Sequence, residues 1–178
     1  MPYFQGMKDL PPLALSVRQP WAWAIIHGGK IIENRSLGAI KAGKMDCRRI
    51  AIHAAIGMTE KEYRWGLWRL DKHGVRCPHP TNLPRRAIIG SVDVVDIVTE
   101  SDSEWFGGKA GLILQNPTPC EPVPAAGALG YFEWTTSGEL EPSTPWMRRF
   151  DHANGDERTL PLFDDLTPVF RTPPKKPY

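Results

Sequence analysis

The chain has few cysteines, no long apolar run and almost no net charge. Its three cysteines, Cys47, Cys77 and Cys120, are far apart in its 178 residues, which excludes a disulfide framework and a CxxC pair. No apolar run approaches the roughly 20 residues that span a bilayer, and the start of the sequence has no signal-peptide pattern. We therefore expect a cytoplasmic protein with reduced thiols and no membrane partner.

The charge balance limits the ways in which this protein could bind nucleic acid. A net charge of +2 provides no broad basic field of the kind that drives non-specific duplex binding. Any nucleic-acid role must therefore depend on a local pocket. The 41% of apolar residues and the seven tryptophans are sufficient for one well-packed domain, which we expect to be a monomer.

Several kinds of functional site are not indicated by the sequence. We find no Ser/His/Asp arrangement, phosphate-binding loop or dinucleotide fingerprint. His73, Cys77 and His79 lie within one short stretch, but no second cluster would complete a four-ligand metal site. The sequence therefore predicts no metal and no cofactor.

Composition divides the chain into three parts. Residues 1–12 are a lead-in that contains YFQG, which resembles a protease-tag remnant, and residues 13–136 carry the periodic apolar pattern of a folded domain. Residues 137–178 are rich in Pro, Thr, Asp and Arg, which is typical of a partly ordered extension. Two apolar islands in this extension, WMRRF (146–150) and LPLF (160–163), are expected to pack back onto the domain.

Local patterns predict about six strands and two short helices. The first helix follows Pro20, and the second begins at a capping box of Thr59 and Glu62. Four prolines at 117, 119, 122 and 124 favour an irregular edge connection. The predicted strands are 13–17, 30–35, 49–55, 87–98, 111–116 and 129–134. This order predicts a mixed α/β, mainly β fold: a small barrel with short helices covering its openings.

The segment QPWAWAIIHGGKIIENR (19–35) has the residue types of a binding site. Lys30 is a point charge with three donors, and Arg35 is a planar fork that can hold phosphate or carboxylate. Glu33 is an acceptor, Asn34 both donates and accepts, and Trp21 offers a π-face to a base. A second interpretation is an ordinary surface strand, with Glu33 and Arg35 paired on one face and Lys30 on the other.

The same segment resembles the signature of the ASCH (activating-signal cointegrator homology) family, in which QPW is followed by GxKxxENR. Four later blocks match in order: IAIHA (50–54), IIGSVDVVDIV (88–98), WFGGKAGLILQNP (105–117) and VPAAGALGYFEW (123–134). The resemblance implies a PUA-like barrel that holds RNA or a modified nucleotide in a cleft beside the first helix. It places Gln19, Trp21, Lys30, Glu33 and Arg35 in that cleft.

Three further residues are candidates for ligand contact. Asn34 belongs to the ENR triplet, and Trp105 lies in a glycine-containing loop where it could stack on a base or simply pack as a lid. His53 follows Arg48 and Arg49 in an apolar strand, where a hydrogen-bonded core histidine is the alternative. We predict all three as ligand-binding residues.

Two other functions stay open. Some ASCH-like proteins resemble amidohydrolases of N4-acylcytidine with the pattern GxKxxTxR, but Glu33 stands at the threonine position, which puts the same mechanism in doubt. Catalysis would then use Glu33 as general base and Lys30 to polarise the carbonyl. A ribonuclease would pair Glu33 or His53 with Lys30 or Arg35. In the third function, the extension recruits a protein partner in transcription or RNA metabolism.

Overall fold

The computed structural model describes residues 9–152 and residue 176. The predicted LPLF island lies outside the described residues. In chain order the elements are β1 (Leu13–Val17), α1 (Trp21–His27), β2 (Ile32–Arg35), α2 (Leu37–Ala42), β3 (Arg49–Ala54), α3 (Glu60–Lys72), a 3-10 turn (Pro80–Asn82), β4 (Ala87–Val98), β5 (Ala110–Pro124), β6 (Tyr131–Glu133) and α4 (Pro145–Arg149).

The six strands form one curled sheet, a half-barrel, in the order β2-β5-β4-β3-β1-β6. Strands β1 and β3 run parallel, and every other neighbouring pair is antiparallel. Strand β2 is an edge strand that makes no ladder with β1, but the Arg35 Nη2 donates to the Ser16 carbonyl at 2.7 Å. The prediction of a mainly β fold with about six strands and short helices is confirmed.

Helix α1 packs against the sheet and shapes the core on both of its sides. Ala22, Ile25 and Ile26 join the cluster formed by β3, β4 and β5. On the other side, Ala24 packs in a second cluster that includes Tyr63 of α3. This packing removes apolar surface from water in two separate layers. Each Å² of apolar surface buried in them stabilises the fold by about 25 cal/mol. Helix α1 therefore has a fixed position from which the following residues reach the site.

Helix α3 begins as the sequence predicted. The Thr59 side chain accepts from the Glu62 amide at 3.2 Å, and Glu62 accepts from the Thr59 amide at 2.8 Å, so the capping box is present. Gly66, on the buried side of this helix, is so close to Pro20 that a Cβ atom there would lie 2.1 Å from the proline Cγ. The glycine thus permits the close approach of α3 to the start of α1.

The sequence predicted that a strand ends at residue 116 and that the four prolines at 117 to 124 form an irregular edge connection. In the structure, β5 instead runs through all four prolines to Pro124. Strand β2 pairs only with Ala110–Ile113 of β5, so beyond that stretch β5 has one partner, β4, and one open edge. Prolines are compatible with an open edge because no ladder donor is required there. The pairing with β4 shifts register three times along this length, so the strand is irregular but continuous.

The sequence prediction of two helices missed α2 and α4. Ser36 caps α2 by accepting from the Ala39 amide at 3.1 Å. Helix α4 contains residues 146–149 of the WMRRF island, and Phe150 follows it as the C-cap. The island packs on the domain as expected: Met147 is fully buried, and Phe150 meets the Tyr63 ring edge-on with centroids 4.9 Å apart. None of the helices in the described part of the chain has the length and apolarity needed to cross a membrane.

Candidate ligand cavity

A cavity of about 290 Å³ opens beside α1. Its walls come from α1, from β2 and the residues just before it, from α3, from the loop before β5 and from residue 176, so five separate stretches of chain meet there. The lining residues are Trp21, Lys30, Glu33, Asn34, Trp65, Arg69, Trp105, Phe106, Gly107 and Lys176. Aromatic side chains, three cations and one carboxylate thus share a single concavity.

Lys30 and Glu33 both line this cavity, although strand alternation alone would put them on opposite faces. Strand β2 begins only at Ile32, so the alternation does not extend back to Lys30. The Lys30 Nζ donates to Glu33 Oε2 at 2.8 Å and also to the Ile32 carbonyl oxygen. Relative exposures of 5% for Lys30 and 8% for Glu33 make this a buried ion pair.

Glu33 is held as a carboxylate. Burial is the largest single influence and would raise its pKa, but the charges and hydrogen bonds of Lys30 and then Arg35 together outweigh it. The net result is a pKa below the ordinary value of 4.5. At neutral pH the cavity therefore contains an ionised hydrogen-bond acceptor.

Arg35 supports Glu33 but is not among the residues that line the cavity. Its Nη2 lies 3.2 Å from Glu33 Oε1 and donates to the Ser16 carbonyl, while its Nε is buried without a hydrogen-bond partner. The guanidinium therefore links the edge strand to β1 and holds one oxygen of the carboxylate. In this position Arg35 is suited to orienting Glu33.

Asn34 connects β2 to the loop that forms the opposite wall. Its Nδ2 donates to the Trp105 carbonyl at 2.8 Å, and its Oδ1 accepts from the Gly107 amide at 2.9 Å. A single side chain thus satisfies two backbone groups on either side of Phe106. The loop and both of its aromatic residues are fixed relative to Glu33 through Asn34.

Trp105 is a wall of the cavity whose ring is already packed by protein groups. His73 stacks on it with centroids 4.0 Å apart, the Arg69 guanidinium lies 5.7 Å from the ring centre, and the residue is only 6% exposed. Burial lowers the pKa of His73, which favours a neutral imidazole in this stack. The less buried Trp21 and Trp65 are better placed to offer a ring face to a ligand.

Gln19 and His53 have polar atoms that the fold itself uses, and neither lines the cavity. Gln19 is fully buried, donating to the Pro84 carbonyl at 2.8 Å and accepting from the Trp23 amide at 2.9 Å. His53 Nε2 donates to the Ala125 carbonyl at 3.0 Å, so its Nδ1, 2.8 Å from the Ser16 hydroxyl, accepts. Both residues hold neighbouring segments in place.

The cavity also contains residues that the sequence analysis did not select, chiefly Trp65, Arg69 and Phe106. Trp65 and Arg69 are one turn apart on α3, off the buried stripe that includes Tyr63 and Leu70. The sequence feature that could have indicated these two residues is a tryptophan and an arginine spaced i, i+4 on the same helix face, outside the apolar stripe. Among the described residues, no group of three or more His, Cys, Asp or Glu could hold a metal ion.

No family model matches this chain, and no curated protein matches it either. Among solved structures it is similar to the ASCH protein from Zymomonas mobilis, with 14% identity, a TM-score of 0.34, and 77% of this chain and 90% of that chain covered. A serine-to-alanine mutant of the same protein gives 14% identity and a TM-score of 0.35, with 77% and 91% covered. The name ASCH is also the one indicated by the sequence blocks, but likenesses this distant carry no argument about what this chain binds.

Proposed function

We propose that this chain is an ASCH-type domain that binds a nucleotide, either free or as one unit of a single-stranded RNA, in the cavity beside α1. The observation that carries this proposal is the buried Lys30–Glu33 pair set among aromatic walls. A planar heterocycle could stack on an aromatic ring while its polar edge meets the charged pair.

The Lys30–Glu33 pair offers both donor and acceptor capacity to a base. Two of the three ammonium donors of Lys30 are used by Ile32 and Glu33, which leaves a third. Each Glu33 oxygen takes one protein hydrogen bond or ion pair and keeps capacity for another acceptor contact. An exocyclic amine beside a ring nitrogen or carbonyl, as in cytosine or adenine, matches this arrangement.

Arg69 provides the positive charge for a phosphate. It lines the cavity from α3 and is partly exposed, whereas Arg35 faces Ser16 and Glu33. A guanidinium can give two parallel hydrogen bonds to phosphate oxygens. The phosphate role predicted for Arg35 is therefore assigned to Arg69 in this proposal.

The size of the cavity supports a small ligand. Its volume of about 290 Å³ lies at the lower end of the range for ligand pockets, roughly 300–1,000 Å³. The low net charge of +2 also provides little long-range attraction for a polyanion. Both features favour recognition of one nucleotide over tracking of a long strand.

The amidohydrolase alternative requires Glu33 to take up a proton as general base. The ribonuclease alternative requires Glu33 or His53, and His53 lies outside the cavity with its Nε2 bonded to the Ala125 carbonyl. A general base works best with a pKa near the working pH, and the neighbouring cations move the pKa of Glu33 in the opposite direction. Binding is therefore the function that this geometry supports best. Incubation with N4-acetylcytidine or labelled RNA tests the alternative, and turnover that is lost in Glu33→Gln would support it over binding alone.

The binding proposal can be tested by titration. Nucleoside monophosphates and short single-stranded RNAs are added while the intrinsic tryptophan fluorescence is followed, because Trp21, Trp65 and Trp105 line the cavity. We expect Arg69→Gln to weaken nucleotide binding about tenfold, since hydrogen bonds to charged groups contribute roughly 1.5–3 kcal/mol. Glu33→Gln should weaken it as well.

Arg48→Gln is the matched control, because Arg48 is half exposed and pairs with Asp46 outside the cavity. Circular dichroism melts establish that each variant is folded at the titration temperature. If the wild-type protein binds no nucleotide and no RNA, or if Arg69→Gln, Glu33→Gln and Arg48→Gln all bind equally well, the proposed function is wrong.

A further inference from the structure

His73 supports the Trp105 wall of the cavity from outside. Its imidazole stacks on the Trp105 ring with centroids 4.0 Å apart and an interplanar angle of 14°. Trp105 lines the cavity, and His73 does not. We propose that His73 is a positioning residue for the ligand site, which holds the Trp105 ring while its imidazole is neutral and releases the ring on taking up a proton. This inference rests on the proposed function, because it concerns regulation of the same site.

The stack starts from a fixed point of the backbone. His73 is the C-cap of α3, and its amide donates to the Leu70 carbonyl at 2.9 Å. Arg69, one turn earlier on the same helix, lines the cavity directly. Helix α3 therefore forms one wall of the cavity itself and determines, through His73, the position of a second wall.

The loop that carries Trp105 is also held through its backbone. Asn34 donates to the Trp105 carbonyl at 2.8 Å, and the Arg69 Nη2 donates to the Glu104 carbonyl oxygen. These contacts fix the path of the loop, but they do not set the side-chain torsions of Trp105. The Arg69 guanidinium is 5.7 Å from the ring centre, farther than the imidazole at 4.0 Å. We therefore assign the orientation of the indole chiefly to the stack with His73.

The surroundings of His73 favour its neutral form. Burial is the largest influence and lowers its pKa below the ordinary value of 6.5. Two charged groups face the imidazole: the Glu104 carboxylate of the loop, 3.7 Å from Nε2, favours a proton, and Arg69 of α3 opposes it. The Glu104 side chain is 76% exposed, so water weakens its attraction.

The direction of the pH effect follows from these contacts. When the Trp105 ring turns away, His73 enters water and titrates near its ordinary pKa of about 6.5. Because the stacked state has the lower pKa, stacking is fully favoured above pH 6.5 and is lost as the pH falls toward the pKa of the stacked imidazole. A ligand that contacts the Trp105 wall should therefore bind more weakly in mild acid.

The test uses the full chain with two variants of His73. His73→Ala removes the stacked ring, whereas His73→Phe keeps an aromatic ring that cannot take up a proton. His27→Ala is the matched control, because His27 stacks on Trp23 with centroids 5.7 Å apart and neither residue lines the cavity. Adenosine is titrated by calorimetry at about pH 7.5 and about pH 5.5, because a phosphate group would itself titrate near pH 6.

We expect His73→Ala to weaken adenosine binding about threefold at the higher pH, as for the loss of one aromatic pair. His73→Phe should bind as the wild-type protein does. At the lower pH the wild-type protein should approach the same threefold loss, whereas the affinity of His73→Phe should not change. Circular dichroism melts establish that each variant is folded under both conditions.

A second measurement needs no ligand. Nuclear Overhauser contacts between the ring at position 73 and the Trp105 ring report the stack directly. In the wild-type protein these contacts should be present at the higher pH and lost at the lower pH. In His73→Phe they should be present at both.

The outcomes separate this inference from the proposed function. If wild type binds adenosine and His73→Ala binds it equally well or more tightly, the inference is wrong while the proposed function stands. An equal loss in His27→Ala, or an equal pH dependence in His73→Phe and wild type, also overturns it. If wild type binds no nucleoside and no nucleotide, the proposed function fails. The ring contact then decides alone, and a contact that persists in wild type at the lower pH overturns the inference.

Discussion

The Lys30 Nζ lies 2.8 Å from Glu33 Oε2, and the two side chains are only 5% and 10% exposed. A charge this deeply buried is stabilised mainly by its oppositely charged partner. Removing one member of the pair therefore leaves the other as an unpaired buried charge, which destabilises the fold. The pair is therefore a structural element as well as the centre of the proposed ligand site. Its energetics can be separated from ligand binding by studying the protein without ligand.

We expect Lys30→Met to lower the free energy of unfolding by about 3 kcal/mol, as is typical when a buried pair loses one partner. Glu33→Gln should also destabilise the protein. The double variant should lose less than the sum of the two, by at least about 1 kcal/mol. Urea unfolding of all four proteins, followed by circular dichroism, measures this coupling.

The exposed Arg64–Glu60 pair on α3 provides the control, with side chains that are 37% and 45% exposed. The same cycle on that pair should give about 0.5 kcal/mol. Additive effects of Lys30→Met and Glu33→Gln would contradict the claim that the two residues depend on each other.

Asn34→Ala should loosen the wall of the cavity. The substitution removes both hydrogen bonds to the loop, one to the Trp105 carbonyl and one from the Gly107 amide. We expect faster hydrogen exchange at Gly107 and a loss of about 1–2 kcal/mol of stability. Exchange measured by NMR would refute this role if the Gly107 amide stays as protected as in the wild-type protein.

Alanine at two helical glycines should have opposite effects. Gly66→Ala would place a Cβ 2.1 Å from Pro20 Cγ, and this overpacking should lower the free energy of unfolding by about 1–3 kcal/mol. The better helix propensity of alanine offsets part of that loss. Gly38→Ala meets only the Ser36 Oγ at 3.9 Å and should raise the free energy of unfolding by about 0.5 kcal/mol. Thermal melts of the two variants distinguish them, and stabilisation by Gly66→Ala would rule out the proposed close contact.

His53 should contribute to acid sensitivity. Burial lowers its pKa below the ordinary 6.5, so as the pH falls below 6.5 the unfolded chain takes up a proton that the folded protein still refuses. The stability present above pH 6.5 is therefore lost as the pH falls toward the folded pKa. The pKa of His73 and of His152 is also lowered by burial, so these two residues should contribute to the slope that remains.

Urea unfolding at pH values from 7.5 to 5 should consequently show a shallower pH dependence in His53→Gln than in wild type. Ser16→Ala removes the hydroxyl beside Nδ1 but keeps the imidazole, so it should lower the stability and keep the slope. An unchanged slope in His53→Gln would mean that His53 is not linked to folding.

The sequence was sufficient for most of the strands, and the signal was strongest in β4, whose segment AIIGSVDVVDIV is dense in β-branched residues. The predicted strands 13–17 and 87–98 coincide with β1 and β4. Helix α2 was missed because its six residues, LGAIKA, bury only Ile40 and so show no apolar period. The prolines of β5 favour an irregular edge connection in the sequence, because the sequence alone cannot show that one edge of a continuous strand lacks a partner.

Prediction of the candidate site depended on where strand β2 begins. Among the predicted ligand-binding residues, Trp21, Lys30, Glu33, Asn34 and Trp105 line the cavity. The polar atoms of Gln19 and His53 instead hold backbone from distant parts of the chain, Pro84 and Ala125, which no local pattern can indicate. Their role in ligand binding stays a prediction, as does recruitment of a protein partner by residues 137–178.

The assembly of the cavity from five stretches of chain has a thermodynamic consequence. No single element carries the whole site, so a ligand meets its full set of contacts only in the completely folded molecule. Occupancy must then favour the native state over the unfolded one, by about 2.7 kcal/mol when the ligand is present at a hundred times its dissociation constant. A rise in melting temperature across a panel of small anionic heterocycles would therefore identify ligands without any assay of chemical turnover.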